Sequence, residues 1–485
     1  MLSFAKTAPA TATWQWVLLI ASFLICATVS FQYIRQTSFP MGGDPVRYVT
    51  RAELAQEGFS ISLREGFTRI ARNSAYPPVI ALLAATKLPW FSWPSLFTWW
   101  MVIAHTAAGG ALLLFLYRFS GWQAASVGVL LWGMTATLNH HFENGILAHL
   151  LSLTPLLLFF HELLRKSSIG MILAVIATAG LHFMSGLFLL IILLMLMIAY
   201  APFTSPLISD KQRKLLRMLS IAFGIAGFFG LSFLVRSNVF NHEFPIDKHT
   251  VPWMLFTSTA LAPFFPLVPI GAGALAWSLH RRTLGAVAML FFAATSILLT
   301  FNNLLGVSLQ VRRFESYYLL TLIILASLAV PFIIQSLKVQ SYKYFVGFLL
   351  VGLLATQTVV AWQQDVKVYT HHELPNGARV HPDALVAIEW IGSNLPPESL
   401  VTSTLVNRHT EWIIPLTEIR WLGLYPPGEF ENASGAELDT IIREKGYTHL
   451  IILKERESLE EVFRGSLDQY PVVFENEEAM IIQLQ

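Results

Sequence analysis

Charge is what this sequence has least of. Acidic and basic residues together are 13% of its 485 residues, about half of the roughly 25% carried by a soluble globular chain. With 54% hydrophobic residues and a mean hydropathy of +0.57, that deficit excludes a soluble globular protein and indicates a polytopic membrane protein. Cysteine is almost missing: Cys26 stands alone, inside the first apolar run, so no internal disulfide can form. The net charge of +2 is thinly spread, which excludes the basic surface of a nucleic-acid binder.

What is there is a series of long apolar runs. Residues 14–34 are enough to cross a hydrocarbon core of about 30 Å. The run reads as a retained anchor, since the preceding segment has one lysine, Lys6, and no small-x-small cleavage site follows. Further spans are expected at 94–117, 122–138, 145–164, 168–181, 185–202, 214–235, 258–279, 283–300, 314–336 and 341–362, about eleven in all. The stretch 168–202 is too long for one helix and is divided at Leu181-His182-Phe183-Met184-Ser185-Gly186.

Short-loop charges set the orientation. Arg118, Arg165, Lys166, Lys211, Arg213, Lys214, Arg217, Arg281, Arg282, Lys338 and Lys343 all fall on one side of that threading, which the positive-inside rule assigns to the cytoplasm. The N-terminus is then inside and the C-terminus outside. The loop 35–93 carries seven Lys/Arg on the outer side, which its length tolerates. Two helices are expected in it. One is amphipathic, with Phe59, Leu63, Phe67 and Ile70 on one face and Arg64, Arg69 and Arg72 off it. The other, over 75–87, opens at Tyr76-Pro77-Pro78.

From about residue 363 the composition turns soluble. Helices are expected over 384–393 and 437–445, and strands over 400–404 and 448–453. A closing hairpin is expected from 472–474 and 480–484. The pattern makes 363–485 a small extracytoplasmic α/β domain attached to a transmembrane domain, 1–362. No Gly-rich phosphate loop or Cys/His set at metal spacing occurs in it.

Polar residues converge on the outer face. Asp44 follows the first span in Phe39-Pro40-Met41-Gly42-Gly43-Asp44-Pro45-Val46-Arg47, where Gly and Pro would fix a turn and present the carboxylate. It is a candidate general base, or else a solvated acid at the membrane edge. His141 and Glu143 flank a tight outer turn. They are candidates to hold a divalent cation, Mg or Mn, together with Asp44, though polar residues are expected in such a turn simply because water is there. His182 sits at a helix break and is either a structural histidine or a functional one. Arg312 and Arg313 stand at the outer end of a span, where arginines snorkel to headgroups or clamp a phosphate. Arg47 and Tyr76 complete the candidate substrate-binding set.

These residues, taken together, resemble the GT-C superfamily of membrane glycosyltransferases. The likeness rests on the acid in Gly42-Gly43-Asp44, a long first outer loop with Tyr76-Pro77-Pro78, and short helices meeting at His182. It rests further on Arg312-Arg313-Phe314 before a long span, and on Ala387-Ile388-Glu389-Trp390-Ile391 with Leu395-Pro396 near the C-terminus. It implies a polyprenyl-phosphate-linked sugar donor, an acceptor (lipid, glycan or protein) at the outer face, and Asp44 as the base of an inverting displacement. It also implies residence in the plasma membrane as part of cell-envelope chemistry. Metal-dependent members carry paired acids where this chain has His141-Phe142-Glu143, so only one carboxylate matches. Three rivals share the composition: a polysaccharide polymerase or ligase, a transporter, and a non-catalytic assembly subunit. A transporter would place polar residues near the bilayer midplane in two related halves, and no matching halves occur.

Overall fold

The computed structural model describes residues 13–36, 44–73, 76–133, 146–200, 266–280, 283–301, 311–337, 382–403, 412–417, 422–424, 435–454, 470–477 and 479–484, with Lys214, Met218, Ile221 and Ile419 singly. Two compact units emerge. The first comprises Met1–Gln36, Trp100–His141 and Leu147–Val368, the second Thr37–Trp99, Phe142–Ile146 and Tyr369–Gln485. Residues 37–99 thus group with the C-terminal residues.

The first unit is helical. Its described elements are α1 (Thr13–Gln36) and most of α5 (Trp93–Ser120), followed by α6 (Trp122–Gly133), α7 (Leu147–Arg165), α8 (Ser168–Leu181) and α9 (Phe183–Tyr200); α2 to α4 lie in the second unit. After these come α10 (Leu267–His280), α11 (Leu284–Thr300) and α12 (Val311–Ser336). Thr13–Phe31, Trp93–Ser120, Leu147–Arg165 and Phe314–Ser336 are long and apolar enough to cross a membrane; shorter apolar helices include Ser168–Leu181, Phe183–Ala199, Leu267–His280 and Leu284–Thr300. Helices stand at nine of the expected span positions, while 214–235 (apart from three single helical residues) and 341–362 lie outside the described residues.

Local chemistry explains the boundaries. Gly121 takes φ +95° between α5 and α6, and its N–H closes on Tyr117 O at 3.0 Å, the left-handed ending that glycine adopts without a Cβ penalty. Ser167 starts α8 by accepting from Gly170 N, and Thr283 starts α11 by accepting from Ala286 N, each satisfying an amide that the helix itself leaves open. The expected break at His182 is present: α8 ends at Leu181 and α9 begins at Phe183.

Apolar attraction does little between helices already surrounded by lipid, so close packing and directional bonds hold them. An aromatic pile runs through the core, with Phe160 on Phe292 (ring centroids 5.4 Å), Phe292 on Phe188 (5.2 Å) and Phe188 stacked on Tyr317 (4.1 Å). At Gly271 of α10 the backbones nearly touch: a Cβ there would lie 1.7 Å from Leu325 O of α12. Across α1, α5 and α6, Ser30 Oγ meets His105 Nδ1 at 2.8 Å, and Trp132 Nε1 donates to His105 O at 2.9 Å.

In the second unit the loop forms three helices rather than two: α2 (Asp44–Ile61), α3 (Leu63–Asn73) and α4 (Pro77–Thr86). Phe59 therefore belongs to α2, and Leu63, Phe67 and Ile70 to α3. The divider is Ser62, whose Oγ accepts from Glu65 N at 3.0 Å, a Ser-x-x-Glu start signal. Val46, Val49, Ala52 and Ala55 recur every third residue and are buried, which gives α2 its inner face. Arg69 is held by Glu65 (3.0 Å) and Glu57 (3.5 Å). Pro77 and Pro78 open α4 as expected.

The C-terminal residues add α13 (Pro382–Asn394), β1 (Val401–Ser403), α14 (Ile413–Leu416), β2 (Leu422–Leu424), α15 (Gly435–Lys445), β3 (His449–Leu453), β4 (Val472–Glu475) and β5 (Ala479–Gln483). The sheet order is β2-β1-β3-β5-β4, with β1 parallel to β2 and β3 and the closing hairpin antiparallel. Ile442, Tyr447, Leu450, Ile452, Met480 and Ile482 form its core. The helix α14 packs on α2, which joins the sheet domain to the loop helices.

Candidate functional site

Asp44 is not in a turn. It is the first residue of α2, with Pro45 next, because proline's fixed φ and missing N–H suit the first helical turn. One turn on, Tyr48 is buried; its ring lies 6.0 Å from that of Tyr76, nearly parallel, and 5.9 Å from that of Phe97. Tyr76 precedes α4, so this pile ties the start of α4 to the helix that Asp44 opens. Arg47 is exposed on the first turns of α2. The second unit thus brings three of the expected residues, Asp44, Arg47 and Tyr76, onto two neighbouring helix starts.

His182, Arg312 and Arg313 belong to the first unit. Arg312 and Arg313 are the second and third residues of α12. His141 and Glu143 lie outside the described residues. His182 is 2% exposed and stands at the junction of α8 and α9. Its N–H donates to Thr178 O at 3.1 Å, ending α8, and its Nδ1 accepts from Ser185 N at 3.2 Å, starting α9. One histidine caps both helices. A ring nitrogen that accepts carries no hydrogen, so in that arrangement the ring proton resides on Nε2.

Around His182 lies a buried polar cluster that the sequence reading did not single out. Ser185 Oγ is 2.8 Å from His182 Nδ1, 2.6 Å from Ser152 Oγ and 2.5 Å from Tyr317 OH. A hydroxyl has one hydrogen; with Ser152 donating to His149 O and His182 Nδ1 accepting, Ser185 Oγ donates to Ser152 Oγ or to His182 Nδ1, one at a time, while accepting from Tyr317 OH. Ser152 Oγ donates to His149 O at 2.6 Å. His149 Nδ1 lies 3.4 Å from both His182 Nδ1 and Tyr317 OH. The members come from α7, the α8–α9 junction, α9 and α12. His149 and Ser185 are each the third residue of their helix, so the N-terminal turns of α7 and α9 meet beside the early turns of α12. The available signal was a spacing: His149-x-x-Ser152 and His182-x-x-Ser185 repeat in otherwise apolar sequence.

Chemically, the N-terminal turns of α7 and α9 meet α12 around a buried His/Ser/Tyr hydrogen-bonded cluster. Among the described residues no group of three or more His, Cys, Asp or Glu is placed to hold a metal ion.

No protein-family model matches the sequence, and no curated protein sequence matches it. Solved structures do. The oligosaccharyltransferase of Archaeoglobus fulgidus in the apo form aligns over 93% of this chain and 71% of its own, with TM-score 0.61 and 12% identity. AglB from the same organism, in complex with an inhibitory peptide and a dolichol-phosphate, aligns over 92% and 70%, with TM-score 0.56 and 13% identity. ArnT from Cupriavidus metallidurans, bound to undecaprenyl phosphate, aligns over 98% and 99%, with TM-score 0.55 and 15% identity. At such identities the likeness carries the fold alone: the chain has the fold of these solved oligosaccharyltransferase and ArnT structures, mostly helical with a small C-terminal sheet.

Proposed function

We propose that this protein is an inverting glycosyltransferase, moving a sugar from a polyprenyl-phosphate donor to an acceptor on the outer face of the membrane. The observation that carries the reading is the end-to-end likeness to ArnT bound to undecaprenyl phosphate, with each chain covered almost completely. AglB held with a dolichol-phosphate supports the same donor class. Arg312 and Arg313 at the head of α12, beside the N-terminal turns of α7 and α9, suit a lipid phosphate.

In the proposed reaction Asp44 takes the acceptor's proton as the acceptor oxygen or nitrogen attacks the anomeric carbon. The bond from that carbon to the phosphate oxygen breaks, and the polyprenyl phosphate leaves with the electron pair. A single displacement inverts the anomeric configuration. The arginine pair stabilises the charge gathering on the departing phosphate, a contribution commonly of about 3 kcal/mol per donor. Arg47 and Tyr76 are proposed to orient the substrates beside Asp44. His141 and Glu143 are the proposed holders of a divalent cation, Mg or Mn, with Asp44, and no step here is derived through it. About eleven spans with the N-terminus inside would place the C-terminal domain outside the cytoplasm of a prokaryotic cell.

The test is turnover of radiolabelled polyprenyl-phosphate sugars by purified protein, with membrane lipid extract as acceptor, for wild type and Asp44→Asn in parallel. Transfer lost in Asp44→Asn while donor binding persists supports the base assignment. Equal transfer by both removes Asp44 from the mechanism. Silence from both across donors that bind refutes the transferase reading.

A further inference from the structure

We infer that Tyr317, Ser185 and His182 are positioning residues for the donor phosphate. They hold the early turns of α12, which begins with Arg312 and Arg313, at a fixed rotation and height against α7 and α9. The inference rests on the reading of that arginine pair as the phosphate clamp.

The distribution of polar ties along α12 carries it. Tyr317 OH reaches Ser185 Oγ of α9 and, at 3.4 Å, His149 Nδ1 of α7. Phe314 O accepts from Thr300 Oγ1 of α11 at 3.1 Å, and Thr321 Oγ1 meets Ser296 Oγ of α11 at 2.7 Å. All of these fall within 314–321, the two turns that follow Arg313. Farther along, Ser327 Oγ bonds, among the described residues, to its own helix at Ile323 O, and Gly271 meets Leu325 by backbone contact. The apolar body of α12 is held by packing, and its arginine-bearing end by directional bonds to three helices.

Directional bonds do what apolar packing does poorly. A greasy interface tolerates small slides and rotations, whereas a buried hydroxyl in reach of polar groups on two neighbouring helices, such as that of Ser185, fixes both. The helix rises about 1.5 Å per residue, so Arg313 stands about 6 Å along the axis from Tyr317, and a slip of one residue would displace the clamp by that 1.5 Å. Misplacement on this scale costs binding and rate steeply. His182 contributes at one remove: by capping α9 it fixes where Ser185 stands. The network is buried, with Ser152, Ser185 and Tyr317 at 0% exposure, and so acts on the phosphate through the helix rather than by touching it.

The test compares Tyr317→Phe with Phe292→Leu and Arg313→Ala in purified full-length protein, measuring the Kd for undecaprenyl phosphate, thermal unfolding, and KM and kcat for a transferred donor. Tyr317→Phe keeps the ring that stacks on Phe188 at 4.1 Å and deletes only the hydroxyl. The expected result is a Kd and KM raised about tenfold with kcat at saturation within about twofold, since binding geometry and not chemistry is altered. Phe292→Leu thins the aromatic core without touching a polar tie; it should lower the unfolding temperature and leave Kd unchanged. Wild-type binding by Tyr317→Phe, beside an Arg313→Ala that binds poorly, overturns the positioning role alone. An equal loss in Phe292→Leu also overturns it, by reducing the effect to general stability. Wild-type binding by Arg313→Ala overturns the phosphate reading underneath.

Discussion

Replacing Ser185 by alanine removes one oxygen and three contacts at once: to Ser152 Oγ, Tyr317 OH and His182 Nδ1. Each partner keeps another neighbour. Ser152 retains His149 O, Tyr317 retains the His149 ring, and His182 Nδ1 retains the backbone N–H of residue 185. No group is orphaned, so the penalty for a bare buried polar atom does not apply. What is lost is the bonds themselves, about 0.6 kcal/mol each by membrane double-mutant cycles and about 1 kcal/mol each in soluble proteins. One hydrogen lets Ser185 make two of them at a time, which gives about 1–2 kcal/mol, trimmed by up to about 0.5 kcal/mol for the better helix propensity of alanine. The expected destabilisation is about 1 kcal/mol. Ser152→Ala, which breaks one inter-helix contact and one bond to its own helix, should cost about half as much. Steric-trapping or reversible unfolding in bicelles measures the difference. No loss in Ser185→Ala would refute the hydrogen-bonded cluster, since two buried bonds cannot be worth nothing.

Two further outcomes follow from single residues. Gly271→Ala should cost about 3 kcal/mol or more, because the added carbon would lie 1.7 Å from Leu325 O and force α10 away from α12. Gly273→Ala, two residues on with nothing within 4 Å, should be neutral or stabilising; equal effects in unfolding measurements would contradict the packing described. In the C-terminal domain, burial holds the His449 imidazole below its ordinary pKa. The unfolded chain therefore takes up a proton first as pH falls below about 6.5, and the neutral-histidine fold loses stability from there downward. The stability advantage of wild type over His449→Gln should shrink from pH 7.5 to pH 5; an advantage constant across that range would contradict the assignment.

The sequence was most legible where a local signal decides structure. The break at His182 came from a run too long for one helix, and the structure adds its cause, a ring that caps α9. In the C-terminal domain α13, α15 and four of the strands fall within about two residues of expectation, the usual uncertainty of element ends, while the short α14, Ile413–Leu416, was not expected. The missed strand, β2, is only Leu422–Leu424 and exists through pairing with β1, which no local pattern announces. The extra break in the first loop was written in the sequence: Ser62-x-x-Glu65 is a helix start, and the apolar spacing that continued across it hid the signal. The same bias toward Gly and Pro as turn formers put Asp44 in a turn, although Pro45 is as much a helix opener. The buried cluster was half legible. The two His-x-x-Ser steps could have been paired, whereas Tyr317 reaches Ser185 across 132 residues of chain, a contact that only tertiary packing creates.

The central claim is that a sugar leaves a polyprenyl phosphate by one inverting displacement. The direct measurement pairs quantification of released polyprenyl phosphate with the anomeric configuration of the product, assigned by NMR from a donor of known configuration. The account predicts one lipid phosphate released per sugar transferred, with the configuration inverted. Retained configuration, or lipid phosphate released with no sugar on an acceptor, would contradict it.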